Sequence, residues 1–358
     1  MSEITKAAGD LSLQAFSTYD KSGMLERVLR FSEQLRHAQE IAQGTEVRLE
    51  RSRIRNVCIC GMGGSAIGGD LVRSFSADQL SVPVVVNRDY TVPNFVDEGT
   101  LAVVSSYSGN TEETLSAYEQ VCQRRAQVVC ITSGGTLGEQ AGRNGHPVFV
   151  IPGGFPPRSA LGYLTVPLLY ALHYAGLLVD PSPQVAEAVS LLAELNEEYG
   201  PDAEANLAKE LSLHLHGSVP LIYAAAARVD AVALRWKGQL AENAEMLAFC
   251  NSFPELTHNE IMGWGPNREV NQRFRVVYLK DRQDHPQVVK RMALAREVFE
   301  PQAGSVFEVR SRGESLFARI FSLIFLGDMV SLYLAVLNGV DPTPVKHIES
   351  MKRRLLQS

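Results

Sequence analysis

The chain has no unbroken apolar run of about 18 residues, so a membrane-spanning helix is not expected. Its N-terminal stretch, Met1 to Asp10, lacks a basic patch followed by an apolar core, so no secretory leader is expected either. Cysteine is scarce. The five cysteines, at 58, 60, 122, 130 and 250, are odd in number and lack the spacing of a disulfide framework or a zinc site. Cys58, Cys60 and Cys130 fall in short apolar runs, where a free thiol behaves as a small buried hydrophobe, and a reducing cytoplasm fits that usage. Positive charge is in deficit too: Lys and Arg number 34 against 40 Asp and Glu, a formal charge of −6. That balance argues against nonspecific nucleic-acid binding, but an acidic protein can still build a locally positive site for a small anion. No metal-ligand cluster is visible.

What is present is ordinary for a globular protein: 45% hydrophobic and 21% charged residues in 358, a length that suits two domains. Residues 9–48 read as helices, with Leu25, Val28, Leu29 and Phe31 at helical spacing. From Val57 the pattern becomes short apolar runs (Val57–Cys60, Val82–Val86, Leu101–Ser105, Gln127–Thr132, Pro147–Ile151) alternating with helical stretches near 65–76, 111–125 and 136–143. Such alternation predicts α/β architecture with a parallel, doubly wound sheet. Residues 160–216 are almost wholly helical in pattern, punctuated by Pro181 and Pro183. A second series then predicts strands at Val219–Ala224, Met246–Cys250, Phe274–Leu279 and Ser305–Val309, with helices near 229–243, 286–299 and 314–338. A last helix is expected from Pro344 to about Leu355.

Two turns carry the signs of an anion site. Gly61-Met62-Gly63-Gly64-Ser65-Ala66 follows the first strand and opens a helix, where small residues admit a ligand and free N–H groups meet a negative charge. The same run fits a phosphate turn, a plain tight turn, or the dinucleotide pattern at 61, 63 and 66; the nearest acid after the second strand, Asp89, comes beyond the usual ~20-residue offset. At the end of strand 101–105 stands Ser106-Tyr107-Ser108-Gly109-Asn110-Thr111-Glu112-Glu113. Asn110 with Glu113 reads as an N-cap and capping box. The crowding of Ser106, Ser108 and Thr111 at one helix start further suits phosphate oxygens. Two such turns at the carboxyl ends of neighbouring strands are where an open α/β sheet binds its ligand.

These two turns resemble the sugar-isomerase (SIS) domain. The second half is similar to the bifunctional phosphoglucose/phosphomannose isomerase family through Arg235-Trp236-Lys237-Gly238-Gln239-Leu240-Ala241-Glu242-Asn243-Ala244-Glu245, Pro254-Glu255-Leu256-Thr257-His258-Asn259-Glu260-Ile261 and Gly339-Val340-Asp341-Pro342 with Ile348, Met351 and Lys352. The resemblance implies a helical segment (1–48), a phosphate-binding SIS domain (49–155), a helical connector (156–216), a second SIS domain with the catalytic Glu and His (217–340) and a C-terminal helix (341–358). It also implies a cofactor-free homodimer acting on a sugar 6-phosphate, with glucose 6-phosphate and fructose 6-phosphate interconverted.

By the same resemblance Gly64, Ser65, Ser106, Ser108 and Thr111 hold phosphate, Arg158 stabilises an enediolate, and Glu242 moves the proton between C1 and C2. His258 opens the ring from the partner subunit, and Lys352, or Lys346, approaches the ring oxygen. The chain departs from the family pattern at Ala241, Glu245 and Thr257, and Val345 aligns with a threonine linked to mannose 6-phosphate, Thr343 lying two residues away.

Each residue also has a plainer role open to it. Glu is usually a solvated surface residue and a lone His usually structural, while Arg158 after two prolines can simply cap a turn. Glu242 near a helix end faces the negative pole of the dipole, which disfavours its charge. A sugar-phosphate-binding SIS protein without turnover is the competing function. An aminosugar synthase is disfavoured because Ser2 stands where a nucleophilic cysteine is needed.

Overall fold

In the computed structural model residues 10–355 are described; residues 1–9 and 356–358, the outer ends of the expected N-terminal segment and last helix, lie outside them. Three helices come first: α1 (Leu13–Tyr19), α2 (Met24–Leu29) and α3 (Phe31–Gly44). Ser12 caps α1 by accepting from the Ala15 N–H. The first sheet is then built from β1 (Asn56–Cys60), β2 (Val84–Asn87), β3 (Thr100–Ser105), β4 (Gln127–Thr132) and β5 (Val148–Val150), with α4 (Gly63–Ser76), α5 (Glu112–Gln123) and α6 (Gly135–Arg143) between them. Three helices follow: α7 (Leu161–Tyr174), α8 (Ser182–Tyr199) and α9 (Leu207–Leu215). The second sheet comprises β6 (Val219–Ala225), β7 (Phe249–Phe253), β8 (Phe274–Lys280) and β9 (Ser305–Arg310), interleaved with α10 (Asp230–Ala244), α11 (Arg268–Asn271) and α12 (Pro286–Phe299). The chain closes with α13 (Leu316–Asn338) and α14 (Lys346–Leu355).

Both sheets are wholly parallel, in the orders β2-β1-β3-β4-β5 and β7-β6-β8-β9. Parallel strands need crossovers, so helices cover both faces and the strands read as apolar runs rather than alternating ones. The chain leaves β1 for β2 on one side and returns to β3 on the other, placing a topological switch point at the carboxyl ends of β1 and β3. One continuous core joins the inner faces of both sheets through α3, α7, α8, α10 and α13. Smaller clusters lie under α5 and α6, and under α12.

Two local expectations are corrected. The strand expected at Met246–Cys250 runs instead from Phe249 to Phe253. Glu245 terminates α10 in the left-handed region (φ 51°) and the Met246 N–H donates back to the Leu240 carbonyl, so the chain leaves the helix before it can pair. Asn110 is not the cap of α5. Thr111 holds that position with no side-chain cap bond, and Asn110 Oδ1 accepts from both the N–H and the hydroxyl of Thr136 at 3.0 Å. Helix α13 is long and apolar enough to cross a membrane, with mean hydropathy 2.2, yet 94% of that stretch is buried inside the protein. Its two charges explain how: Arg319 donates to Asp281 at 2.7 Å, and Asp328 accepts from Arg235 at 2.6 Å. Burial of each aliphatic side chain along it stabilises the fold by ~1.5–3 kcal/mol.

Candidate active site

The two anion turns meet at the switch point. A Cβ placed on Gly61 would lie 2.9 Å from the Ser105 carbonyl and 3.1 Å from Ser65 Cβ, so the turn after β1 sits directly on the end of β3. Neither α4 nor α5 has a side-chain cap, leaving their first N–H groups for an incoming anion. Ser106 Oγ donates to Thr111 Oγ1 at 3.0 Å, which sets both hydroxyls on one side of the turn. Ser108 Oγ is exposed and accepts from the Asn110 N–H at 3.2 Å. Gly109 (φ 70°) makes the turn possible, since its Cβ would fall 1.8 Å from the Gly134 carbonyl.

Gly64 joins this cradle to the rest of the site. A Cβ there would stand 2.8 Å from the Pro157 carbonyl, so the start of α4 rests against the short 3-10 turn Pro157–Ser159 that carries Arg158. Arg158 is 5% exposed and held on all sides. Its Nε donates to Asn243 Oδ1 at 2.6 Å, its Nη2 donates to the carbonyls of Pro342 and Thr343, and its Nη1 lies 3.5 Å from Glu242 Oε2. Burial pulls the guanidinium below its usual range, and the Glu242 carboxylate opposes that. In the sequence only the helix dipole bears on Glu242; the structure sets a buried cation against it.

A pocket of about 210 Å³ brings Gly64, Arg158 and Glu242 together, lined also by Gly63, Arg88 and Arg235, while Ser65, Ser106, Ser108 and Thr111 do not line it. Half-exposed Glu242 is reachable from it, while Arg158 forms its charged wall. The last turn of α10 thus faces the first turn of α4 across the gap. His258 does not line this pocket: it is exposed at the end of the 3-10 turn Glu255–His258. Lys352 and Lys346 are exposed on α14 and do not line it either. The departures at Ala241 and Glu245 are exposed and lie outside the pocket lining, and Thr257 Oγ1 accepts from Arg291 at 2.8 Å. Thr343 is the residue whose carbonyl meets Arg158, and its own hydroxyl is buried without a hydrogen-bond partner among the described residues.

Sequence reasoning missed Arg88, Arg235, Gln239, Asn243 and Asp328. Arg88 lines the pocket and is paired with buried Asp70. One signal was available for Asp328: a lone acid in the middle of a long apolar helical run. Nothing comparable marked Arg88, whose partner lies 18 residues away in the chain.

Residues 204–355 match the family model described as bacterial phospho-glucose isomerase C-terminal SIS domain. A bifunctional phosphoglucose/phosphomannose isomerase of Caldicellulosiruptor bescii is 44% identical over 93% of this chain and 99% of its own length. One of the same name from Thermoplasma acidophilum is 37% identical over 91% and 98% respectively. Among solved structures, a hypothetical protein from Thermus thermophilus superposes with a TM-score of 0.73 at 17% identity, over 96% of this chain and 93% of that one, which bears on the fold alone. With near full-length identity at that level and both glycine- and hydroxyl-rich turns in place, the chain belongs to the bifunctional phosphoglucose/phosphomannose isomerase family.

Proposed function

We propose that this protein is an aldose–ketose isomerase that interconverts glucose 6-phosphate and fructose 6-phosphate and also turns over mannose 6-phosphate. Family membership supports the substrate class. The observation that carries the chemistry is the Glu242 carboxylate 3.5 Å from the buried Arg158 guanidinium, in one pocket with Gly64.

In this reading the phosphate rests on Gly64, Ser65, Ser106, Ser108 and Thr111, between two helix N-termini whose dipoles favour the anion. Once the ring is open, Glu242 removes the C2 proton of the aldose, giving a cis-enediolate between C1 and C2. Returning that proton to C1, with the hydroxyl proton passing from O2 to O1, yields the ketose; C2 is oxidised and C1 reduced within one molecule. Arg158, permanently charged and rigid, stabilises the negative oxygens of the intermediate. His258 of a second copy opens the ring, and Lys352, or Lys346, approaches the ring oxygen when α14 is covered. We assign residues 49–155 to phosphate binding and 217–340 to proton transfer, in a cytoplasmic homodimer. A coupled assay with fructose 6-phosphate and with mannose 6-phosphate, run after dialysis against EDTA, tests the proposal. Turnover of both is expected to persist. An inert protein, or activity that returns only with zinc or manganese, overturns it.

A further inference from the structure

Helices α10 and α13 pack through a largely apolar interface that also carries one stripe of buried polar side chains. On α10 the stripe is Arg235, Gln239 and Asn243, spaced four residues apart so that they share one face; on α13 it is Asp328 and Ser331. All five are buried. Gly327 lets the helices approach: a Cβ there would lie 2.2 Å from Trp236 Nε1, which instead donates to the Leu323 carbonyl at 2.9 Å. Asp328 uses both carboxylate oxygens, accepting from Arg235 Nη2 at 2.6 Å and from Gln239 Nε2 at 3.0 Å. Asn243 donates to Ser331 Oγ at 2.9 Å.

The stripe does not end between the two helices. Arg235 Nη2 also donates to the backbone carbonyl of Arg158 at 3.1 Å, and Asn243 Oδ1 accepts from Arg158 Nε at 2.6 Å. The backbone and the side chain of Arg158 are therefore each tied to α13 through one intermediary. A buried ion pair contributes little to stability compared with apolar packing of the same volume. Stability alone gives no reason for this stripe in a largely apolar contact; a requirement to hold Arg158 in one place does.

We propose that Asp328 is a positioning residue for the isomerase reaction: through Arg235 it fixes the Arg158 peptide, and so sets the guanidinium against Glu242. This rests on the isomerase reading above. Asp328 touches no substrate, and its effect passes through residue 158, which the chain reaches 170 positions earlier.

The test uses the full-length enzyme with fructose 6-phosphate. Asp328→Asn keeps the shape but removes the charge and turns an amide N–H toward Gln239 or Arg235. Because that variant leaves Arg235 without its counter-ion and can fail to fold, the joint replacement Arg235→Met with Asp328→Leu is measured beside it, its fold checked by the emission of the two buried tryptophans, Trp236 and Trp264. The folded variants are expected to lose about 10²-fold in kcat, since a misplacement of about 1 Å has that effect. KM should move less than about threefold, because the phosphate is held by separate turns. In an Arg158→Lys background, Asp328→Asn should lower kcat no further, as residues acting through one another are non-additive. A folded Arg235→Met, Asp328→Leu enzyme with wild-type kcat overturns the proposal, as does an undiminished effect of Asp328→Asn in the Arg158→Lys background. A wild-type protein inert toward sugar phosphates removes the isomerase reading and this one with it, whereas an active wild type with an equally active pair variant removes this one alone.

Discussion

Glu242 was marked in the sequence by its resemblance to a proton-transfer base and by its place near a helix end, where a glutamate is most often solvated. In the structure its neighbour is what distinguishes it: Arg158, 84 positions earlier in the chain, places a buried guanidinium 3.5 Å away. Glu242→Gln keeps size and polarity but cannot accept a proton. Sugar-phosphate binding should stay near normal while exchange of the C2 hydrogen with solvent deuterium disappears; exchange surviving in the variant would assign the base elsewhere. In the proposed reading Ser108 and Thr111 hold the phosphate at the other end of the substrate, where contacts exist in ground and transition states alike. Ser108→Ala and Thr111→Val should therefore raise KM more than they lower kcat. A loss confined to kcat would place these hydroxyls at the reacting carbons. Both turns stood out in the sequence because glycine and hydroxyl crowding is local. The pairing of Arg158 with Asn243, Pro342 and Thr343 was not, since those partners are 85, 184 and 185 residues away.

Elements were legible where apolar periodicity was uninterrupted, as in β4 and α12, whose observed bounds coincide with the expected ones. The displaced strand, β7, shows what periodicity leaves out. Met246 to Cys250 is apolar enough to pair, but the left-handed Glu245 and the back-bond of Met246 to Leu240 hold its first residues at the end of α10. The misassigned cap shows the same at a helix start: Asn110 has the right chemistry for capping α5, and Thr136 in the first turn of α6, beside the loop at Gly134, takes its side chain instead. That loop contact makes Gly109 sensitive. Gly109→Ala combines a left-handed φ of 70° with a Cβ 1.8 Å from the Gly134 carbonyl. It should destabilise the fold by about 2–4 kcal/mol, read as a lower urea midpoint at unchanged m-value. A midpoint equal to that of wild type would show that the two loops separate freely.

At the scale of the whole molecule, the pocket of one chain contains the proposed base and arginine, while His258 is exposed outside it. A site completed by a second copy makes a numerical prediction. Homodimers of Glu242→Gln and of His258→Ala should each be nearly inactive. Refolded together in equal amounts, they form heterodimers about half the time, each with one intact site, so about a quarter of the wild-type sites should return. Demonstrated heterodimers without recovered activity would place both residues in one chain. Two rounds of strand and helix, the two glycine- and hydroxyl-rich turns and the family could be read from the sequence, because these are written in short-range periodicity, in local residue clusters, and in motifs that keep their order. The tertiary structure alone shows that α13 is the buried core helix to which α8, α9 and α10 dock. It alone also decided that Arg158 stands against Glu242, because both outcomes depend on buried partners far apart in the chain, and a buried charge is stable only where folding brings its counter-charge.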